Sequence, residues 1–407
     1  MTSVQLHTIH DDARALQDDL AQLRRTLHTI PEIGLDLPRT QEHVLAALDG
    51  LPLEVTTGTA TTSVVAVLRG GASAGDRPSA VLLRGDMDAL PVVEQTGEDF
   101  ASTNGAMHAC GHDLHTAALV CAAKLLCRHR DQLAGDVVFM FQPGEEGFDG
   151  AGVMLREGVL EAAGRRVDHA FGMHVFSNQI PGGTFVSRPG SILSASHALR
   201  VTVRGAGGHG SAPHHARDPI SAAAEMVTSL QVMITRTFDI FDPVVLSVGM
   251  FAGGTKRNII PDTASFEATV RRFSDVNVDR LQDGIGRVLE GVAAAHGVAV
   301  DWDFAAEYPL TVNDAEQTAF AANVIRDLLG EQRYETLDQP ISGSEDFSRV
   351  LAAVPGAFIG LGACPPELDP LKSPMNHSPR ARFDDSVLGD AAAVYAALAA
   401  ARLAVPA

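Results

Sequence analysis

Residues 107–119 read MHACGHDLHTAAL and gather His108, Cys110, His112, Asp113 and His115 in a chain with 4 cysteines among 407 residues. Imidazole nitrogens, thiolates and carboxylates are the usual protein ligands of divalent metals. More of them stand in short Gly- or Pro-marked stretches: Asp86 and Asp88 in RGDMDALP, Glu145 and Glu146 in QPGEEG, His174 in FGMHV and His377 in SPMNHSP. Taken singly, each has a structural reading: Asp113 as a helix N-cap, the glutamate pair as solvated loop residues, His28 or His197 as satisfied core or surface histidines. Taken together they form a donor set of imidazole, carboxylate and one thiolate without a Cys-x-x-Cys pair, unlike a closed, sulfur-rich structural zinc site. The set predicts an open catalytic site for one or two divalent metals, in which one of two adjacent glutamates ligates while its neighbour takes a proton from water.

Such residues must be carried to one place by the elements that flank them. An amphipathic helix is expected over 11–30, ending at Pro31, and PRTQEHVLAAL restarts one. The β-type runs SVVAVL, AVLLRGD, DVVFMFQ and HAFGMHV then alternate with helices at about 113–128 and near 151–160. Near-continuous apolar strands alternating with helices predict a mostly parallel sheet covered on both faces. Ligands bind such sheets at the carboxyl ends of the strands, where Asp86, Asp88, Glu145, Glu146 and His174 fall. Around 188–198 the pattern changes. HALRVTVRG alternates with period two, and a helix over 219–235, VVLSVGMFAGG, TASFEATVRRF, a helix near 276–296 and VAVDWDF follow. That β-α-β-β-α-β order predicts a four-stranded antiparallel sheet with two helices on one side. After about 306 the chain returns to AFIGLG and a last Ala-rich helix. The expected fold class is α/β, with a mostly parallel-sheet domain built from 1–189 and 306–407 and an α+β domain inserted at 190–305.

Composition narrows the partners. The 31 Lys+Arg against 50 Asp+Glu give a formal net charge of −19, which argues against nucleic acid or an anionic membrane surface. An anionic substrate then needs a local cationic pocket; Arg271 with Arg272, and Arg257 with Asn258, are the clustered donors of the insert that could supply it. The N-terminus lacks the basic start and apolar run of a signal peptide, and no stretch approaches the ~20 apolar residues of a membrane span, so a cytoplasmic protein with reduced thiols is expected.

In order along the chain, GDMDALP, HACGHDLHTA, PGEEG, GMHV, GGHGSAPH, NIIPD, SGSEDFS and MNHSP resemble the zinc-carboxypeptidase/aminoacylase metallopeptidases. More narrowly they resemble the amidohydrolase subfamily of hippurate hydrolases, N-acyl-amino-acid hydrolases and auxin-conjugate hydrolases. The resemblance implies that Cys110 bridges two metals, that His112, Glu146, His174 and His377 complete the ligands, that Glu145 is the general base, and that Asp88 orients the site. Asp86 stands where other branches of the family have a histidine ligand, and its role stays open. The resemblance also implies that the inserted domain is a lid and dimerisation domain. In it His209 would stabilise the oxyanion, within its own subunit or across a homodimer, and Asn258 and Arg271 would hold the substrate carboxylate. His108, His115, His214 and His215 are read as supporting or surface groups.

The expected activity is hydrolysis of the amide bond of a small N-acyl amino acid by two divalent ions, zinc by donor chemistry, with manganese, cobalt or nickel as alternatives. Rival readings are a dipeptidase or carboxypeptidase of the same family, a metal-dependent binding protein without catalysis, and a thiol redox sensor built on Cys110.

Overall fold

A computed structural model of the protein describes residues 3–73 and 79–404. The chain divides into two compact units, one of Met1–Ile192, Val312–Gln339 and Asp346–Ala407, the other of Leu193–Thr311 and Pro340–Glu345.

The first unit is organised by an eight-stranded sheet in which Gly135–Gln142, Ser79–Asp86, His169–Phe176 and Gly356–Gly362 lie side by side and parallel. Every residue of Gly135–Gln142 and Gly356–Gly362 is buried, as strands covered on both faces require. The antiparallel pairings lie towards the edges, where Leu53–Thr57 and Val64–Leu68 join one side and Phe185–Ser187 joins the other. The helix His112–Arg128 and the last helix, Leu388–Arg402, are buried over most of their length. Alanines at 391–393, 396, 397, 399 and 400 let the last helix approach closely enough for the Tyr395 hydroxyl to donate to the Arg84 carbonyl at 2.6 Å.

Two local expectations change. The helix expected over 11–30 is two helices, Ser3–Ala15 and Gln17–His28, broken at Leu16. There Gln17 turns to the start of the last helix and the turn before it, accepting from Gly389 N–H at 3.0 Å and donating to the Asp385 carbonyl at 2.7 Å, contacts that periodicity does not reveal. Asp113 is not a helix cap. Gly111, at φ 85, holds the N-cap position, where a Cβ would stand 2.4 Å from Val175. The Asp113 carboxylate instead lies 2.7 Å from both Arg24 Nε and His28 Nδ1. Burial disfavours a charged His28, but Asp113 and Glu94 on its two nitrogens outweigh this and raise its pKa.

The second unit has the expected order. Its four strands pair antiparallel as Val244–Gly253, Thr263–Arg272, Ala195–Arg204 and Ala299–Tyr308. The helices Pro219–Thr237 and Val278–His296 bury Met226, Leu230, Leu281, Ile285 and Leu289 against alternate residues such as Phe266 and Val270. His197 lies in this sheet, 4% exposed and stacked on Phe304 at 4.7 Å between centroids. Burial and the nearby Arg272 push its pKa down to about 4. The unfolded chain, with a histidine pKa of about 6.5, binds the proton first as pH falls. His197 therefore removes stability between about pH 6.5 and 4, each pKa unit being worth about 1.4 kcal/mol. Thermal melts from pH 7 to 4.5 should show a shallower loss for His197→Gln than for the natural chain; parallel curves would mean that His197 is not held neutral.

Candidate active site

The first unit brings together most of the residues singled out by sequence. Asp86 ends one central strand. Glu145 and Glu146 follow the next, His174 lies near the end of a third, and Cys110 and His112 stand at the start of a helix. Cys110 Sγ lies 3.3 Å from His174 Nε2 and 3.2 Å from His377 Nε2, and His377 Nε2 lies 3.1 Å from Glu146 Oε1. Donors around one tetrahedral ion at ~2.0–2.3 Å are separated by roughly 3.3–3.8 Å, so these spacings are close to those of a ligand shell. Two of the donor groups contain Cys110, one with His112 and His174 and one with Glu146 and His377, the atoms of each within 4.8 Å of one another. The thiol belongs to both.

The imidazoles are oriented for ligation. His112 Nδ1 lies 2.9 Å from the Asp88 carbonyl and His174 Nδ1 2.8 Å from the Val175 carbonyl. Both protons thus sit on Nδ1, and both Nε2 lone pairs face the cluster. His112 Nε2 is buried without a hydrogen-bond partner, which costs stability unless another group satisfies it. Charge points the same way. The Cys110 and Glu146 side chains raise the His377 pKa to about 10. Burial disfavours a charged His112, yet Asp86 and its other neighbours raise its pKa well above the ordinary value. Burial also works against an ionised Glu146, but His377 and His112 hold its pKa down. His174 departs from this trend, because burial and the neighbouring His115 hold its pKa well below the ordinary value and so favour the neutral imidazole that a metal requires; the donors together fit divalent metal ions.

Asp88 holds the main chain of the glutamate pair, its Oδ1 accepting from Glu145 N–H at 2.9 Å and its Oδ2 from Glu146 N–H at 3.0 Å. Glu145 is 6% exposed, so the pair is not the solvated loop of the structural reading. His377 sits at φ 71, a left-handed conformation that costs a non-glycine residue about 1–3 kcal/mol. Its loop is fixed by its own N–H donating to the Ala109 carbonyl at 2.9 Å. Asn376 adds a bond to the Val175 carbonyl at 2.9 Å and one from Ser177 N–H at 2.9 Å. Asn376 was missed by sequence; its only signal was its place beside His377 in MNHSP. His115, read as a supporting or surface group, is buried and lies 2.5 Å from Asp86 Oδ1.

His209, Asn258 and Arg271 belong to the second unit. His209 pairs with Ile259 in a two-stranded ribbon, and Gly210 N–H donates to the Asn258 carbonyl at 2.9 Å, so these two are neighbours. Arg271 is not with them. It lies opposite Ser196 in the sheet, whereas Thr263 lies opposite Arg204 at the end from which the ribbon continues. Along a strand that separation is roughly 25 Å, too far for one small substrate to meet all three within a single copy. Arg271 Nη1 donates to Ser344 Oγ at 2.7 Å, while Arg272 is engaged with Asp275 and the Ser274 carbonyl.

Residues 82–401 match the model of peptidase family M20/M25/M40. The chain is 38% identical over 387 residues to IAA-amino acid hydrolase ILR1-like 4 of Arabidopsis thaliana, covering 94% of this chain and 85% of that protein. It is 35% identical over 397 residues to thermostable carboxypeptidase 1 of Saccharolobus solfataricus, covering 96% and 97%. The crystal structure of the Bacillus subtilis YXEP protein, described as a dinuclear metal-binding peptidase of the M20 family, superposes with a TM-score of 0.79 at 31% identity, covering 96% of this chain and 99% of that one. The chain belongs to peptidase family M20/M25/M40 and is an enzyme of that hydrolase family, within its amidohydrolase subfamily.

Proposed function

We propose that the protein is a two-metal amidohydrolase that cleaves the amide bond of N-acyl amino acids. The observation that carries this reading is the Cys110 thiol shared by two donor groups, with Glu145 beside them. Cys110 would be shared by both ions, with His112 and His174 holding one and Glu146 and His377 the other. Zinc suits the mixed donors, with manganese, cobalt and nickel as the alternatives. When bound, the metals supply Lewis acidity to the substrate carbonyl and to water. Asp88 holds the backbone of both glutamates, Glu145 takes the proton of the attacking water and returns it to the leaving nitrogen, and His209 donates to the developing oxyanion. Asn258 and Arg271 bind the substrate carboxylate.

The distance between Arg271 and the His209–Asn258 ribbon supports a homodimer in which one copy supplies His209 and Asn258 to a site whose Arg271 comes from the other. The inserted unit has a surface for this: its edge strand Val244–Gly253 exposes Met250 (62%) and Phe251 (46%). His209→Ala should lower kcat far more than it raises KM, and Arg271→Ala should do the reverse, because an oxyanion donor acts mainly in the transition state. Mixed dimers of His209→Ala and Glu145→Gln should recover part of the activity. Identical kinetic patterns for the two single variants, or inactive mixed dimers, would contradict this division.

The reading as a whole is tested by stripping the protein of metal, reloading it with each ion, and assaying N-acetyl and N-benzoyl amino acids beside dipeptides. N-acyl amino acids should be the better substrates. Cleavage of dipeptides alone would make it a peptidase, and a protein that binds metal but cleaves nothing would be a binding protein. Among the described residues no helix is long and apolar enough to cross a membrane.

A further inference from the structure

Asp86, whose role the sequence leaves open, is fully buried within reach of the candidate ligands. Its Oδ2 lies 3.5 Å from His112 Nε2, and with His112 and His115 it forms another group of donors within 4.8 Å. A carboxylate so placed could be drawn into the metal shell. Both of its oxygens are already engaged. Arg84 Nη1 donates to Oδ2 at 2.7 Å, and His115 Nδ1 donates to Oδ1 at 2.5 Å. The His115 tautomer is settled by its other nitrogen, because Nε2 accepts the N–H of Val175 at 2.8 Å and so cannot carry the proton. Val175 adjoins His174, whose own Nδ1 is tied to the Val175 carbonyl. A line of hydrogen bonds thus runs from Asp86 through His115 to the strand end that presents His174.

Arg84 anchors the other end. It is 0% exposed, and its Nε donates to Gln142 Oε1 at 2.8 Å while its Nη2 reaches Asp346 Oδ1 at 3.2 Å. Asp346 also accepts from Ala151 N–H at 2.8 Å, at the start of the helix that follows the glutamate loop. A guanidinium held this rigidly against Oδ2 excludes a second cation from that oxygen by like-charge repulsion. On the two-metal reading given above, we propose that Asp86 is a positioning residue and not a metal ligand, that Arg84 withholds it from the metals, and that Asp86 orients His174 through His115 and Val175.

The test compares the natural chain, Asp86→Asn and Arg84→Met, each stripped and reloaded with cobalt(II), by metal content per chain, visible absorption and steady-state kinetics. An asparagine keeps one acceptor oxygen for two donors, so the line to His174 loosens while the ligands stay. Asp86→Asn should therefore keep the natural metal content and lose about 10–100-fold in kcat with little change in KM, the size seen when a partner behind a metal ligand is removed. Arg84→Met should free Asp86 to join the shell, and a higher coordination number weakens the visible cobalt bands. Loss of a metal in Asp86→Asn would make Asp86 a ligand, and natural kcat in that variant would remove its positioning role. A folded Arg84→Met with natural absorption would refute the exclusion; should Arg84→Met not fold, Asp86→Asn still decides. Failure of the natural chain to bind cobalt or any other divalent ion would instead overturn the two-metal reading itself.

Discussion

Glu145→Gln is expected to bind the full metal complement and to lose amide hydrolysis by at least about 10²–10⁴-fold, the usual contribution of a general base. The glutamine is isosteric, and the Glu145 main chain is held independently of its side chain by Asp88 at 2.9 Å, so the loop should keep its shape. Glu145 also lies within 4.8 Å of His112 and Glu146 in donor atoms, which makes the measurement decisive between two roles. Elemental analysis that finds a metal missing would make Glu145 a ligand. Turnover within tenfold of the natural enzyme at full occupancy would remove it from proton transfer.

Cys110→Ala should lose at least one metal per chain and nearly all activity, because it removes the one donor that both groups share. Cys110→Asp should keep part of the two-metal binding, with preference shifted away from thiophilic ions, since a carboxylate can bridge but is a harder ligand. In the metal-loaded protein Cys110 should resist alkylating reagents, and it should react once the metal is stripped. Cys121→Ala is the control. Cys121 is 0% exposed on the inner helix, and burial raises its pKa to about 12. Its loss should cost about 1 kcal/mol of packing and no metal. A Cys110→Ala protein that kept both metals and its turnover would end the bridging assignment, as would equal alkylation of Cys110 with and without metal.

Much of this was legible in the sequence because it is encoded locally. Short apolar runs rich in β-branched and aromatic residues, such as DVVFMFQ, read as strands buried on both faces, and the strand is Gly135–Gln142. The period-two alternation of TASFEATVRR puts Phe266 and Val270 inside, as observed. The broken N-terminal helix was not legible, because Leu16 and Gln17 are ordinary helix residues and the break is set by contacts with Asp385 and Gly389. Nor was the fate of Asp113. Its spacing suits a cap, but the partners that claim it, Arg24 and His28, lie on another helix.

The same division runs through the candidate site. Donor types, and the closeness of Cys110 to His112, are properties of the sequence. Which of His108, His112 and His115 faces the cluster is not, since all three stand within one short stretch. The helix begins at His112 and puts its Nε2 among the donors; His115, nearly a turn later, bonds to Asp86; and burial lowers the His108 pKa to about 3, with both ring nitrogens lacking a hydrogen-bond partner. Cys110 meets His174 and His377 across 64 and 267 residues, separations that no local pattern encodes. The proton positions were decided later still. Asp88 and Val175 fix the tautomers of His112 and His174 through their carbonyl oxygens, and every residue carries that same atom. Side-chain identity therefore announced a metal-binding chemistry, while the packing of the main chain determined which lone pairs point inward to perform it.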